Sequence, residues 1–271
     1  TTVDLSAYLD NTDAQDLSLT GNTLSLTNDA TTVDLSAYQN NTLDEAYDEG
    51  GAGAGRQIDA SDGAVRINGD DGFIVTGTYN SGDAVEVSGA GTRMFFNPYK
   101  AAFRAGYVDG TQWDWANIGH FSTAMGYNSK ASGSYSTAMG DSTTASGDYS
   151  TAMGETTTAS GSISTAMGSY STASGSYSTA MGRETTAFGI NSTAMGRETT
   201  AFGINSTAMG LNTTASGDYS TAMSRSTTAS GDYSTAMGWS TEAIGDYSTA
   251  MGRATTASGS ISTAMGESTT A

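Results

Sequence analysis

The chain has 271 residues, 28 acidic against 10 basic, and a formal net charge of −18. That balance argues against a nucleic-acid-binding protein, because phosphate backbones attract basic surfaces. There is no cysteine and one histidine, His120, so disulfides and thiolate-held metals are excluded and histidine-based catalysis has one candidate.

Residues 1–49 read as an acidic, β-rich repeat stalk. "TTVDLSAY" opens the chain at Thr1 and recurs at Thr31, each copy a period-two strand candidate. The chain is therefore read as a window that starts inside a repeat of a longer protein. "LSLTGNTLSLT" (17–27) reads as strand, Gly-Asn turn, strand. Asp10, Asp13 and Asp16 lack the D-x-D-x-D-G spacing of a calcium loop, so a solvated acidic loop is the preferred reading.

Residues 50–118 read as a β-rich junction and cap. "GGAGAG" (50–55) is a hinge or tight crossing, and "AVRINGDDGFIVTG" (64–77) a hairpin candidate. Phe95, Phe96, Tyr99, Phe103, Trp113 and Trp115 then interleave with Arg93, Lys100 and Arg104. Such a mixture suits a carbohydrate or nucleic-acid platform. It equally suits a plug over the first edge of an elongated β-structure, since open edges need covering. The plug is preferred.

From Gly119 a register locks in. Each fourteen residues hold two sevens, x-x-S-T-A-M-G and x-x-(S/T)-x-A-(S/F/I)-G. Ala fills its slot every seventh residue from Ala124 to Ala271. Gly follows two later, except at Ser224. A phrase repeated at fixed spacing is a building unit. Seven is also the coiled-coil number, but a Gly in each seven costs about 1 kcal/mol relative to Ala in a helix interior. The spacing predicts an all-β fold instead: a β-solenoid of fourteen-residue coils over 119–271. Its corners are expected to turn on Gly and the two variable residues after it, Gly supplying the positive φ.

Strand alternation assigns the faces. The Thr slot of the second seven becomes Lys130 and Glu242. An unpaired charge inside a narrow coil would be very costly. So the Thr/Met side faces out and the Ser/Ala side faces in, with Ala124, Ala131, Ala138, Ala145 and Ala152 beginning the interior. An outward Met then recurs in all eleven first sevens: Met125, Met139, Met153, Met167, Met181, Met195, Met209, Met223, Met237, Met251 and Met265. A continuous apolar stripe on an outer face signals an interface. This ladder is expected to join copies of the chain side by side. The second-seven face varies, with Phe188, Phe202 and Ile244 among its serines, and is expected to meet solvent. Corner residues Tyr135, Tyr149, Tyr219, Tyr233 and Tyr247 form a ridge that either contacts a glycan or protein ligand or packs coil on coil.

These residues resemble the YadA-like head repeat of trimeric autotransporter adhesins, whose motif is written S-V-A-I-G; here Thr stands for Val and Met for Ile. The resemblance implies a left-handed parallel β-roll, three chains side by side as a homotrimer, and attachment to a cell or surface ligand, glycan or protein. "AAFRAGYVDGTQWDWANIG" resembles the lead-in to such repeats in long surface or tail-fibre-like proteins of Bacteroidetes-type bacteria.

The leading functional expectation is a non-enzymatic structural and adhesive segment of an extracellular or cell-surface fibre, with no cofactor, no metal and no membrane span in this window. Two alternatives remain open. One is a receptor-binding tail fibre of a phage or contractile injection system. The other is an ice-binding solenoid using the Thr row from Thr144 to Thr228, on a face that Lys130, Glu242, Phe188 and Phe202 interrupt. No nucleophile–base pair or metal cluster recurs, and His120 reads as a capping residue.

Overall fold

The computed structural model describes residues 17–20, 23–26, 33–34, 73–82 and 88–271. Two compact units are distinguished, Thr1–Phe73 and Ile74–Ala271. In the first, strand β1 (Leu17–Thr20) pairs antiparallel with β2 (Thr23–Leu26), Thr20 opposite Thr23, as the Gly-Asn turn requires. Strand β3 (Val33–Asp34), from the second "TTVDLSAY", adds to β2. The first copy of that phrase, the Asp10–Asp16 loop and "GGAGAG" lie outside the described residues. So does most of the hairpin candidate at 64–77.

The second unit is a parallel β-solenoid without an α-helix among the described residues. Strand β4 (Gly91–Asn97) folds back antiparallel on β5 (Ala102–Val108). Strand β6 (Thr123–Tyr127) lies parallel to β5 and starts the regular rungs, and β7 (Lys130–Ala131) starts the second wall. From there five-residue strands recur every fourteen residues, Thr137–Asp141 to Thr263–Glu267, on the first wall. Two-residue strands recur with the same period on the second wall. Each rung pairs with the next in strict register, for example Thr151, Ala152 and Met153 with Thr165, Ala166 and Met167. At ~4.8 Å per rung the eleven long strands span roughly 50 Å.

The interior is narrow. Ala124, Ala131, Ala138, Ala145 and Ala152 are fully buried, and the whole Ala series to Ala257 with them. The slot two before each Ala is equally buried, by Ser in the first seven and mostly Thr in the second. Ser122, Ser136, Ser150 and Ser220 donate to the carbonyls of Gly119, Gly133, Gly147 and Gly217 at 2.6 Å. The Thr143, Thr157, Thr199 and Thr213 hydroxyls on the second wall, and those of Ser164, Ser178, Ser192 and Ser206 on the first, find no partner among the described residues.

The corners correct one expectation in part. Gly holds positive φ at the corners that follow the long strands, from Gly126 to Gly266, but not at those that follow the short strands, and at every corner the second residue after the Gly slot also lies in the left-handed region. Phe121, Asn128, Tyr135, Ser142, Tyr149 and their successors to Ser268 all have φ between 48° and 60°. The set includes Thr156, Ile163 and Ile261, β-branched residues that rarely adopt this conformation. Stacking holds them there: Tyr149 N–H donates to Ser134 O at 2.7 Å and Ser142 N–H to Tyr127 O at 2.8 Å, one coil back. Gly also serves a second purpose. A Cβ on Gly147 would overlap the carbonyl oxygen of Gly161 on the next coil. First-seven glycines such as Gly154 meet the same obstacle and also hold positive φ, +120°. Ser224 takes φ 97° where its equivalents hold 113° to 132°.

The start of the solenoid is closed by side chains. Phe103, Arg104, Ala105, Gly106 and Tyr107 pair with Thr123, Ala124, Met125, Gly126 and Tyr127. Arg104 thus occupies the interior Ala slot and is fully buried. Its guanidinium donates to Phe103 O (2.8 Å), Ser122 O (2.9 Å), Ser122 Oγ (2.8 Å) and Ala131 O (2.9 Å). Desolvation lowers its pKa to about 10. Buried Trp113 donates its indole N–H to Ser129 O at 2.8 Å, and Gly119 N–H donates to Ala131 O at 3.0 Å. Lys100 Nζ sits 4.2 Å from the Trp115 ring and donates to Trp115 O and Ile118 O, both at 2.7 Å. The first edge of both walls is thereby capped by cations and aromatics. Repeat onset at residue 119 falls inside this single unit, because the sheet runs unbroken from β4 through β6.

Candidate functional site

The solenoid offers two outer faces and two corners. The first-wall face is uniform. Thr123 and Met125 repeat without substitution through Thr263 and Met265. The Met side chains stack rung upon rung, so Met139 to Met251 are half-buried in a single chain, whereas the end members Met125 and Met265 are 37% and 59% exposed. The remaining apolar surface runs along the wall as one stripe.

The second-wall face is hydroxyl-rich and variable. Its outward slots hold Thr, interrupted by Lys130 and Glu242, and Ser, interrupted by Phe188, Phe202 and Ile244. Phe188 and Phe202 stack at 5.0 Å between ring centres and are about half exposed. Ile190 and Ile204 stand exposed two residues beyond them. These residues come from two identical consecutive coils, "GRETTAFGINSTAM".

The corner that precedes each long strand carries the tyrosine column. Phe121, Tyr135 and Tyr149 stack at 4.7 Å, and Tyr219, Tyr233 and Tyr247 at 4.8 Å with planes 1° apart. The ring spacing is the rung spacing, so the backbone imposes the stack. All five expected tyrosines lie on this one corner, and all are exposed. Ile163, Tyr177, Asn191 and Asn205 continue the column between the stacks, and Asn191 Nδ2 donates to Asn205 Oδ1 at 3.1 Å. Beside the tyrosines, aspartates form a ladder: Asp148 Oδ1 accepts from Ser134 N–H at 2.8 Å and Asp232 Oδ1 from Asp218 N–H at 2.8 Å. Desolvation first, then the neighbouring tyrosines and Asp232 and Asp218, push the Tyr233 phenol up from its ordinary value.

The opposite corner, after each long strand, collects every arginine of the repeat region: Arg183, Arg197, Arg225 and Arg253. Arg183 and Arg197 pair with the adjacent Glu184 and Glu198, and Arg253 with Glu267, all at 3.0 Å and exposed. Arg253 also lies 4.5 Å from the Trp239 ring. Such exposed pairs contribute roughly 0–1 kcal/mol each.

His120 lies at the cap, its Nδ1 3.2 Å from the Tyr79 hydroxyl and its ring beside Tyr99. Among the described residues, no cluster of His, Cys, Asp or Glu is arranged to hold a metal ion. No helix there is long and apolar enough to cross a membrane. The cap role of Arg104 escaped the sequence reading, although "FRAGY" (103–107) set against "TAMGY" (123–127) carries the signal.

The model of the YadA head domain repeat (2 copies) matches residues 118–143, 145–171, 173–199, 201–223, 225–241 and 243–269, together more than half of the chain. No curated protein matches the chain.

Proposed function

The chain belongs to the YadA head repeat family, and from that premise we propose that it is a structural and adhesive segment of an extracellular fibre, built from parallel copies joined side by side. The observation that carries the reading is the contrast between faces. Eleven rungs keep Thr and Met on one outer face while the other accepts Ser, Phe, Ile, Lys and Glu. A face that tolerates no substitution within one chain serves a common contact. A face that varies is free to meet different ligands.

The interior supports the same conclusion. It is made of Ala methyls and small hydroxyls, so a single roll buries little large apolar surface. Fully burying a Met is worth about 1.5–3 kcal/mol as an upper figure, and the share left exposed after stacking within one chain can be buried only through a partner. The family supports a homotrimer, with the Met stripes around a shared axis, as the form of this assembly. The role is mechanical and adhesive rather than catalytic, because its features recur by the coil instead of converging on one centre.

Attachment then falls to the variable surfaces: the Phe188–Phe202 patch and the tyrosine column at Tyr135, Tyr149, Tyr219, Tyr233 and Tyr247. Stacked phenols on a rigid backbone present flat apolar area with polar tips at small entropic cost, a surface suited to glycans or proteins. Arrays of immobilised glycans and matrix proteins, probed with the assembled segment, test this. Binding that is lost on Phe188→Ser/Phe202→Ser or Tyr135→Ala/Tyr149→Ala, with assembly intact, supports it. Binding indifferent to all four changes refutes this placement.

A further inference from the structure

In the later coils the two corners that bound the Thr/Met face carry opposite charge. The strand-end corner holds Arg225, Trp239 and Arg253, one per rung. The strand-start corner holds Asp218, Asp232 and Asp246. Each aspartate is fixed by a backbone N–H one coil back: Ile204 to Asp218 (2.8 Å), Asp218 to Asp232 (2.8 Å) and Asp232 to Asp246 (3.0 Å). These bonds use Oδ1, and Oδ2 takes no partner among the described residues. Arg225 is exposed and makes no ion pair among the described residues, whereas Arg253 shares its charge with Glu267 of the next rung in an exposed pair at 3.0 Å.

We propose that in the side-by-side assembly the Arg225–Trp239–Arg253 edge of one copy docks on the Asp218–Asp232–Asp246 edge of the next, and that this seam sets the copies parallel. The inference rests on the side-by-side reading above. Its geometry follows from the strand. Each rung runs from the aspartate corner to the arginine corner at one height. Parallel copies arranged around a common axis, Met stripes inward, therefore bring the strand-end edge of one beside the strand-start edge of its neighbour, at the same level. Guanidinium then meets carboxylate, a fork geometry that Arg satisfies with two N–H donors. An antiparallel pair joined through the same face brings like edges together, Arg against Arg and Asp against Asp, and is repelled.

The pairing is confined to these coils. Higher up, the strand-end corner carries Asp141 and Glu155, and Glu155 shares its rung with Asp148. No attraction draws the edges together there. The seam therefore divides the tyrosine column: Tyr219, Tyr233 and Tyr247 flank it, and Tyr135 and Tyr149 stay open to ligand.

The cysteine-free sequence allows a direct test. Arg225→Cys/Asp218→Cys, Arg225→Cys alone and Asp218→Cys alone are treated with a short bifunctional maleimide. Within one copy the two positions are roughly 20 Å apart along the strand, out of its reach. The double variant is expected to give covalent multimers up to the size of the closed assembly, and each single variant none. Cross-linked dimers from either single variant would show like edges meeting and overturn the seam. So would an uncross-linked double variant that sediments as an oligomer, and that result would leave side-by-side assembly standing. An unmodified chain that sediments as a single copy would overturn both. In a second arm, Arg225→Glu/Arg253→Glu is expected to raise the dissociation constant at least tenfold at low salt. Adding Asp218→Arg/Asp246→Arg is expected to restore it; no recovery would contradict the pairing.

Discussion

Arg104 lies opposite Ala124 across β5 and β6, in the slot that alanine fills in every later rung of the first wall. A guanidinium stands where a methyl belongs because β5 is the first parallel rung, with only the antiparallel β4 beyond it. The second wall has no strand to cover β7, and its carbonyls at Ser129 and Ala131 are met by Trp113, Arg104 and Gly119 instead. Desolvation, which lowers the Arg104 pKa, makes holding the charge there costly. Four hydrogen bonds offset that cost.

Arg104→Ala is therefore expected to cost about 3 kcal/mol, because several buried carbonyls lose their donors together. Hydrogen exchange should lose protection first at Thr123–Tyr127 and Lys130–Ala131. Uniform loss along the whole solenoid would contradict a local cap.

Close stacking makes glycine a packing residue. Gly147→Ala should destabilise by about 3 kcal/mol, the upper end for overpacking, since the obstacle is backbone and cannot swing aside. Ser224→Gly should stabilise by about 1 kcal/mol by removing a side chain from a left-handed position. Thermal melting reads both. A neutral Gly147→Ala would mean that coils separate more easily than their register implies.

The buried second-wall threonines give a signed test of the interior. Thr157 and Thr199 hide hydroxyls that find no partner among the described residues. Val keeps the shape and removes the unpaired group, so Thr157→Val/Thr199→Val should raise stability by about 1 kcal/mol per site, and the melting temperature with it. A lowered melting temperature would show that these hydroxyls are bonded.

Phe188→Ser/Phe202→Ser restores the serine that other coils carry. It should change stability by no more than about 0.5 kcal/mol per site, as exposed positions do. Sedimentation should not change, and ligand capture by the assembled segment should fall. Dissociation of the double variant would place this patch in a subunit contact.

Much of this architecture was legible in the sequence. The Ala and Gly register gave coil length, and Lys130 and Glu242 gave the outward face, because charge cannot hide in so narrow an interior. The corners were not legible. Tyr135, Ser142 and Ile163 share a left-handed φ and no chemistry, so only stacking on the preceding coil explains them. Arg104 was hidden by the stretch between β5 and β6. Gly106 and Gly126 are twenty residues apart rather than fourteen, which breaks the period where the cap begins. The Met stripe was plain from composition, but what lies against it is a property of the assembly and not of one chain.

The central claim is that the Thr/Met face joins copies and the second-wall face does not. Sedimentation velocity of two double variants tests it most directly. Met181→Asp/Met195→Asp places like charges from every copy around one desolvated axis and is expected to dissociate or locally unfold the assembly. Thr172→Asp/Thr186→Asp places the same charges on the opposite face, in the slot that already accepts Glu242, and is expected to sediment like the unmodified chain. If the Met variant stays assembled while the Thr variant falls apart, the two faces have been assigned the wrong way round.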